Sequence, residues 1–186
     1  MKRITLALFI TLAHVAVAQK QPLYKNPKAP VSQRVNDLLS RMTIEEKTAQ
    51  MLGWWEGYEA TIEKDSAFIP SRFTTLFKDG VGQIGPINFP IGMDIKTKNE
   101  IQRYLQTKTR LGIPVMFHDE GCHGLMKPQA TSFPMTIGLA CSWDEVLFEK
   151  VYDVVAREMR ARGGHQALTP IVDVARDPRW GRIEET

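Results

Sequence analysis

The sequence predicts an α/β fold in which helices pack on the outside of a parallel sheet. Short apolar runs bounded by turn residues fall at 81–89, 114–117 and 167–174. Runs of that length and composition are expected to be strands buried on both faces. Between them lie longer segments whose apolar residues recur at helical spacing. The resulting order, strand, helix, strand, helix, strand, needs crossover connections and therefore parallel pairing.

Each element has its own local signal. A positive start at Lys2 and Arg3, a nearly continuous apolar run from Ile4 to Val15, and Ala16-Val17-Ala18 before Gln19 are expected to form a cleaved export signal over 1–18. Residues 19–31 are polar and carry Pro22, Pro27 and Pro30, which predicts a surface lead-in to a domain over 32–186. Val35, Leu38, Leu39 and Met42 then line one side of a helix. Thr43 with Glu46 is a capping box that starts a second helix over 44–52. Trp54 and Trp55 follow that helix, either as core aromatics or as a sugar platform. Residues 56–79 read as helix or loop. Thr97 with Glu100 predicts another helix start, with Ile101, Tyr104 and Leu105 on one side and a stop at Gly112 and Pro114. Ser142 with Glu145 predicts the start of the longest helix. Its stripe is Leu147, Val151, Val154, Val155 and Met159, and Gly163 and Gly164 end it.

Composition narrows the function classes. The chain is 43% hydrophobic and 24% charged without a low-complexity tract, which excludes disordered and fibrous classes. Removing Lys2 and Arg3 takes the formal charge from +3 to +1. No basic stripe remains to neutralise a run of phosphates, so no nucleic-acid partner is expected. The leader's apolar run is too short for a spanning helix, so no membrane association is expected after its removal. Cys122 and Cys141 can pair or stay as thiols in an exported protein, and their spacing is not that of a zinc site.

Polar residues crowd after two of the predicted strands. His118, Asp119, Glu120 and His123 follow the second, and Asp173, Arg176, Asp177, Arg179 and Arg182 follow the third. In a parallel α/β barrel the C-terminal strand ends open onto one functional face. Carboxylates accept hydrogen bonds from sugar hydroxyls and arginine donates in a fixed fork, so this lining suits a polyhydroxylated ligand. The rival use of His118, Asp119, Glu120 and His123 is a hydrolytic metal site. His118 and His123 match no common helical ligand spacing, and no metal or other cofactor is expected.

These residues carry a resemblance. Ile113-Pro114 leading through Asp119-Glu120 to His123-Gly124, then Ala130-Thr131 with Phe133-Pro134, then Asp173 through Arg176-Asp177-Pro178-Arg179-Trp180-Gly181-Arg182, resemble glycoside hydrolase family three. The segment from Arg34 to Leu52 also resembles that family's start. The resemblance covers essentially the whole chain after the leader. It implies the N-terminal part of a (β/α)8 barrel, incomplete here, from an exo-acting retaining β-glycosidase. Such an enzyme removes terminal β-D-glucosyl or xylosyl residues from oligosaccharides or aryl β-glycosides.

In the family the nucleophilic aspartate lies downstream of the matched signature and the acid/base glutamate farther on, in a following domain. Retention needs two carboxyl groups about 5–5.5 Å apart. No catalytic residue is therefore expected within these residues. The chain reads as an exported (periplasmic or secreted) fragment that lacks the C-terminal domains and is inactive alone, with a non-catalytic sugar-binding product as the alternative. The resemblance assigns Glu120 and Arg176 to the terminal sugar, with Asp119 as a neighbouring acid. His123, Asp177, Arg179, Trp180 and Arg182 are implied as supports. Many glucosidases of the family carry aspartate at the position of Glu120, whereas glutamate is common in the xylosidase-like branch. A longer side chain reaches into the space of a hydroxymethyl group, so both substrates stay open.

Overall fold

The structure, a computed structural model, describes residues 21–55 and 70–185. The leader over 1–18 and the ambiguous residues 56–69 lie outside the described residues. The chain divides into two compact units, Met1–Arg41 and Met42–Thr186.

In the first unit a 3-10 turn, Leu23–Lys25, packs on helix α1, Val31–Arg41. Asp37 ties them. Its carboxylate accepts from the Tyr24 amide at 2.9 Å and from Arg41 Nη2 at 2.8 Å, and Arg34 Nε donates to the Tyr24 carbonyl at 3.0 Å.

The second unit contains a four-stranded parallel sheet in the order β1 (Gly53–Trp54), β2 (Gln83–Ile84), β3 (Met116–Glu120), β4 (Gln166–Leu168). Its helices are α2 (Ile44–Gln50), α3 (Pro70–Leu76), α4 (Met93–Lys108), α5 (Thr136–Ala140) and α6 (Glu145–Ala161). Neighbours in the sheet are neighbours in the chain, as at the start of an α/β barrel. Among the described residues the sheet has two edges, β1 and β4, and does not close.

The Thr43–Glu46 capping box is present: Thr43 Oγ1 accepts from the Glu46 amide at 3.2 Å and Glu46 Oε2 accepts from the Thr43 amide at 2.9 Å. Arg110 then grips the Glu46 carboxylate through Nε at 2.9 Å and through Nη2, holding Glu46 below its ordinary pKa. An α2 start read from four residues is thus bound to the loop before β3, 64 residues away.

Several expectations need correction. The helix expected at Thr97 starts at Met93, so Thr97 is interior and buried. The reason is Asp94, whose buried carboxylate is held by Arg162 Nε at 2.7 Å, a partner that no local pattern reveals. The cap of α6 is Asp144, whose Oδ1 accepts from the Leu147 amide at 2.9 Å, while Ser142 Oγ accepts from the Asp144 amide one step earlier. The strand expected over 81–89 pairs only at Gln83–Ile84, and that over 167–174 only at Gln166–Leu168. Val172 and Val174 are 80% and 77% exposed, so that part of the run is not sheet core. A fourth strand, β1, is added by two residues too short to carry a pattern of their own.

Nor is the sheet buried on both faces. The parallel register pairs Trp54 with Ile84 and Ile84 with Phe117, and these three turn toward the helices. There they meet Phe73, Phe77, Ile101, Tyr104 and Leu105 in the main core. The aromatic rings interlock, with Trp54 on Phe77 at 4.7 Å and Phe73 on Tyr104 at 5.1 Å between centroids. A second, smaller core joins Leu139, Val151 and Val155. The opposite sheet face carries Gly53, Gln83 and Met116 at paired positions, and Met116 is 44% exposed. Close strand approach depends on Gly85: a Cβ there meets the His118 carbonyl oxygen at 2.0 Å, so no larger residue fits without moving β3.

Candidate functional site

Strand β3 runs further than its apolar part. Met116–Glu120 is one strand, and His118, Asp119 and Glu120 pair in register with Gln166, Ala167 and Leu168. Three of the four polar residues expected to follow the strand, His118, Asp119 and Glu120, are therefore part of it, and strand alternation divides them. His118 and Glu120 share one face. Asp119 points to the other, among the helices.

Asp119 is fully buried, and its carboxylate lies between two ammonium groups, Lys98 Nζ at 2.9 Å and Lys127 Nζ at 2.6 Å. Lys98 also donates to the Arg162 carbonyl at 2.9 Å, and Lys127 to the Ile87 carbonyl at 2.6 Å. Arg162 spreads its guanidinium over Asp94, the Pro128 carbonyl at 2.7 Å and the Phe89 carbonyl at 2.9 Å. Burial pushes the Lys127 ammonium below the usual lysine range, against the pull of Asp119. Sequence reasoning missed Lys98, Lys127, Asp94 and Arg162, because a buried lysine has no periodic signature that separates it from a surface one.

Glu120 ends β3 half-buried on the opposite face. The Cys122 thiol donates to its Oε2 at 3.8 Å. Both cysteines are thiols, Cys122 buried and Cys141 exposed. Thr169 Oγ1 donates to the Gly121 carbonyl at 2.9 Å, which ties the segment after β4 to the end of β3. Gly124 follows in a turn at φ 104°, where a Cβ meets the Thr131 carbonyl at 2.1 Å. His123 is half-buried, and its carbonyl accepts from the Phe133 amide at 2.7 Å.

After β4 the residues Asp173, Arg176, Asp177, Arg179 and Arg182 are exposed. Asp177 organises its own turn, accepting from the Arg179 amide at 2.9 Å and from the Arg179 guanidinium at 2.5 Å. Arg182 pairs with Glu185 at 2.5 Å and lends positive charge to Glu120. Among the described residues no hydrogen bond or ion pair joins Arg176 to Glu120 or Asp119. The structure thus gathers Glu120 and Cys122, with the Arg182–Glu185 pair acting on Glu120 in opposite directions, and turns Asp119 to the other face. The divided parity of β3 also prevents His118, Asp119 and Glu120 from converging on one ion.

Burial raises the Glu120 pKa above its ordinary 4.5, with the Cys122 hydrogen bond and the Arg182 charge pulling the other way. Sugar hydroxyls donate to the ionised carboxylate. For a ligand whose hydroxyls donate to Glu120, affinity is expected above the raised pKa and is lost as pH falls through it. A titration of Kd against pH should show an inflection above 4.5 that Glu120→Gln removes. An inflection that survives Glu120→Gln contradicts the assignment.

Sequential parallel strands with a carboxylate and several arginines beyond their C-terminal ends define an α/β-barrel type of enzyme domain, with its working face at those ends. Residues 43–186 match the glycosyl hydrolase family 3 N terminal domain, and the chain belongs to that family. It is 31% identical to beta-glucosidase C of Emericella nidulans over 89% of this chain and 28% of that protein. To a periplasmic beta-glucosidase/beta-xylosidase of Dickeya chrysanthemi it is 30% identical, over 88% of this chain and 27% of the relative. A β-glucosidase structure from Erythrobacter marinus superposes with a TM-score of 0.72 at 28% identity, covering 90% of this chain and 22% of that one. The β-glucosidase of Listeria innocua in complex with gluconolactone gives 0.63 at 29% identity, covering 83% and 21%. The chain thus spans roughly a quarter of the length of these proteins.

Proposed function

We propose that this chain supplies the sugar-gripping part of an exported, exo-acting retaining β-glycosidase. The substrate is a terminal β-D-glucosyl or xylosyl residue of an oligosaccharide or aryl β-glycoside. The observation that carries the reading is Glu120: a half-buried carboxylate at the C-terminal end of β3, with its pKa raised by burial. Arg176, in the segment that follows β4, is the second group assigned to that sugar. Family membership and relatives named as β-glucosidase and β-xylosidase support the reaction class. The leader pattern over 1–18 and relatives named as periplasmic support export.

The catalytic carboxylates are assigned to residues beyond those described, so binding and turnover are separable. An aryl β-glucoside and an aryl β-xyloside are expected to bind this chain without release of the aryl alcohol. A chain that also contains the nucleophile and the acid/base should release the β-anomer first, as followed by proton NMR. First appearance of the α-anomer, or turnover by the present residues alone, overturns the assignment.

A further inference from the structure

β3 is joined to β4 by a side chain as well as by backbone. Helix α6 ends at Ala161, Gly163 turns the chain at φ 77°, and β4 begins only at Gln166. His165 lies at the join. Its amide donates to the Phe117 carbonyl at 2.8 Å, and its imidazole Nδ1 accepts from the Phe117 amide at 3.0 Å. The Gly164 carbonyl, one residue earlier, accepts instead from Arg160 Nη1 at 3.3 Å. The imidazole therefore stands where a longer β4 would offer a ladder carbonyl. The Phe117 and His165 rings stack beside this bond, with centroids 5.8 Å apart and planes 16° from parallel.

Phe117 is 1% exposed, so its amide has no water to turn to when the imidazole lets go. Nδ1 accepts only while it carries no proton, with the ring hydrogen on Nε2. An imidazolium carries hydrogens on both nitrogens and meets the amide donor to donor. Unlike a ladder carbonyl, this acceptor is therefore switched by pH. The charged groups around the ring are Arg160 of α6, Lys98 of α4 and Asp119 of β3. His165 is exposed as a residue, yet desolvation of its ring is the largest influence lowering its pKa from 6.5. Arg160 and Lys98 push the same way and Asp119 opposes them. The Phe117 hydrogen bond also favours the neutral ring. We propose that His165 is a pH-sensitive latch between β3 and β4, closed while Nδ1 is unprotonated and opened when it takes a proton. A histidine pKa lowered on folding sets the sign. The latch contributes fully above the unfolded-state value of about 6.5, and its contribution is lost as pH falls through the folded-state value.

The test is NMR of the whole isotope-labelled chain, following the His165 ring nitrogens and hydrogen exchange at the Phe117 amide over the same pH range. Above its titration the ring should be the Nε2–H tautomer, with Nδ1 shifted as an acceptor. As the ring takes its proton, protection of the Phe117 amide, corrected for the intrinsic pH dependence of exchange, should fall at least about tenfold, or about 1.4 kcal/mol. The Leu105 amide in α4 should change less than about twofold over that range. Asparagine places Oδ1 near the position of Nδ1 and does not titrate, so His165→Asn should hold Phe117 protection nearly constant. His165→Ala should lower it about tenfold on both sides of the titration. An Nδ1–H tautomer in the neutral ring overturns the latch, as does Phe117 protection that ignores the titration. A fall of the same size in His165→Asn, or one shared equally by Leu105, also overturns it.

Discussion

Replacing Asp119 by alanine is expected to lower the folding stability of residues 42–186 by about 3–5 kcal/mol, a far larger effect than loss of any surface ion pair. The carboxylate is fully buried and is shared by two ammonium groups whose side chains are 3% and 1% exposed. Without it, Lys98 and Lys127 face each other in a site from which water is excluded, beside Arg162. Removing one partner of a buried cluster strands the others, and the penalty is their uncompensated desolvation rather than the loss of one contact. The Arg179–Asp177 pair makes the contrast. Its side chains are 88% and 50% exposed, so water screens both charges whether or not they touch. A thermal melt followed by circular dichroism should show Asp119→Ala melting about 10 °C or more below the native chain, with Asp177→Ala close to it. Equal melting of Asp119→Ala and the native chain would show that the buried cluster contributes nothing to stability.

This cluster also explains which parts of the structure were legible in the sequence. Where the determining partners are local, the reading is direct. Thr43 and Glu46 cap each other within three residues, and the end of α6 at Gly163 follows from a glycine free to take φ 77°. Where the partner is remote, the pattern misleads. Thr97 and Glu100 have the spacing of a capping box, yet α4 begins a turn earlier, where Arg162, 68 residues on, donates to the buried carboxylate of Asp94.

The site shows the same division. Residue types at the end of β3 were legible, because three polar side chains directly follow an apolar run and His123 comes three residues later. Their directions were not. A run of His118, Asp119 and Glu120 reads as a loop until pairing with β4 shows that it is strand, and only then does alternation send Asp119 inward. The same parity separates Trp54 from Trp55, which are equivalent by composition. It is set by β1, a two-residue strand with no signal of its own. For Arg176 the sequence supplied a motif, and the structure adds an exposed position after β4.

The second large effect concerns function. Glu120 is fixed by β3 from behind and by the Cys122 thiol at one oxygen. A pre-oriented carboxylate that grips sugar hydroxyls contributes most when those hydrogen bonds strengthen in the transition state. Its removal should therefore depress kcat/KM rather than abolish folding, since half-buried Glu120 carries none of the core. The central claim, that Glu120 and Arg176 hold the terminal sugar, is tested most directly by kcat/KM for aryl β-glucosides and β-xylosides in the catalytically complete enzyme. Glu120→Ala and Arg176→Ala are each expected to lower it at least about tenfold, roughly 1.4 kcal/mol of transition-state stabilisation. Unchanged kcat/KM on both substrates in both variants would contradict the claim.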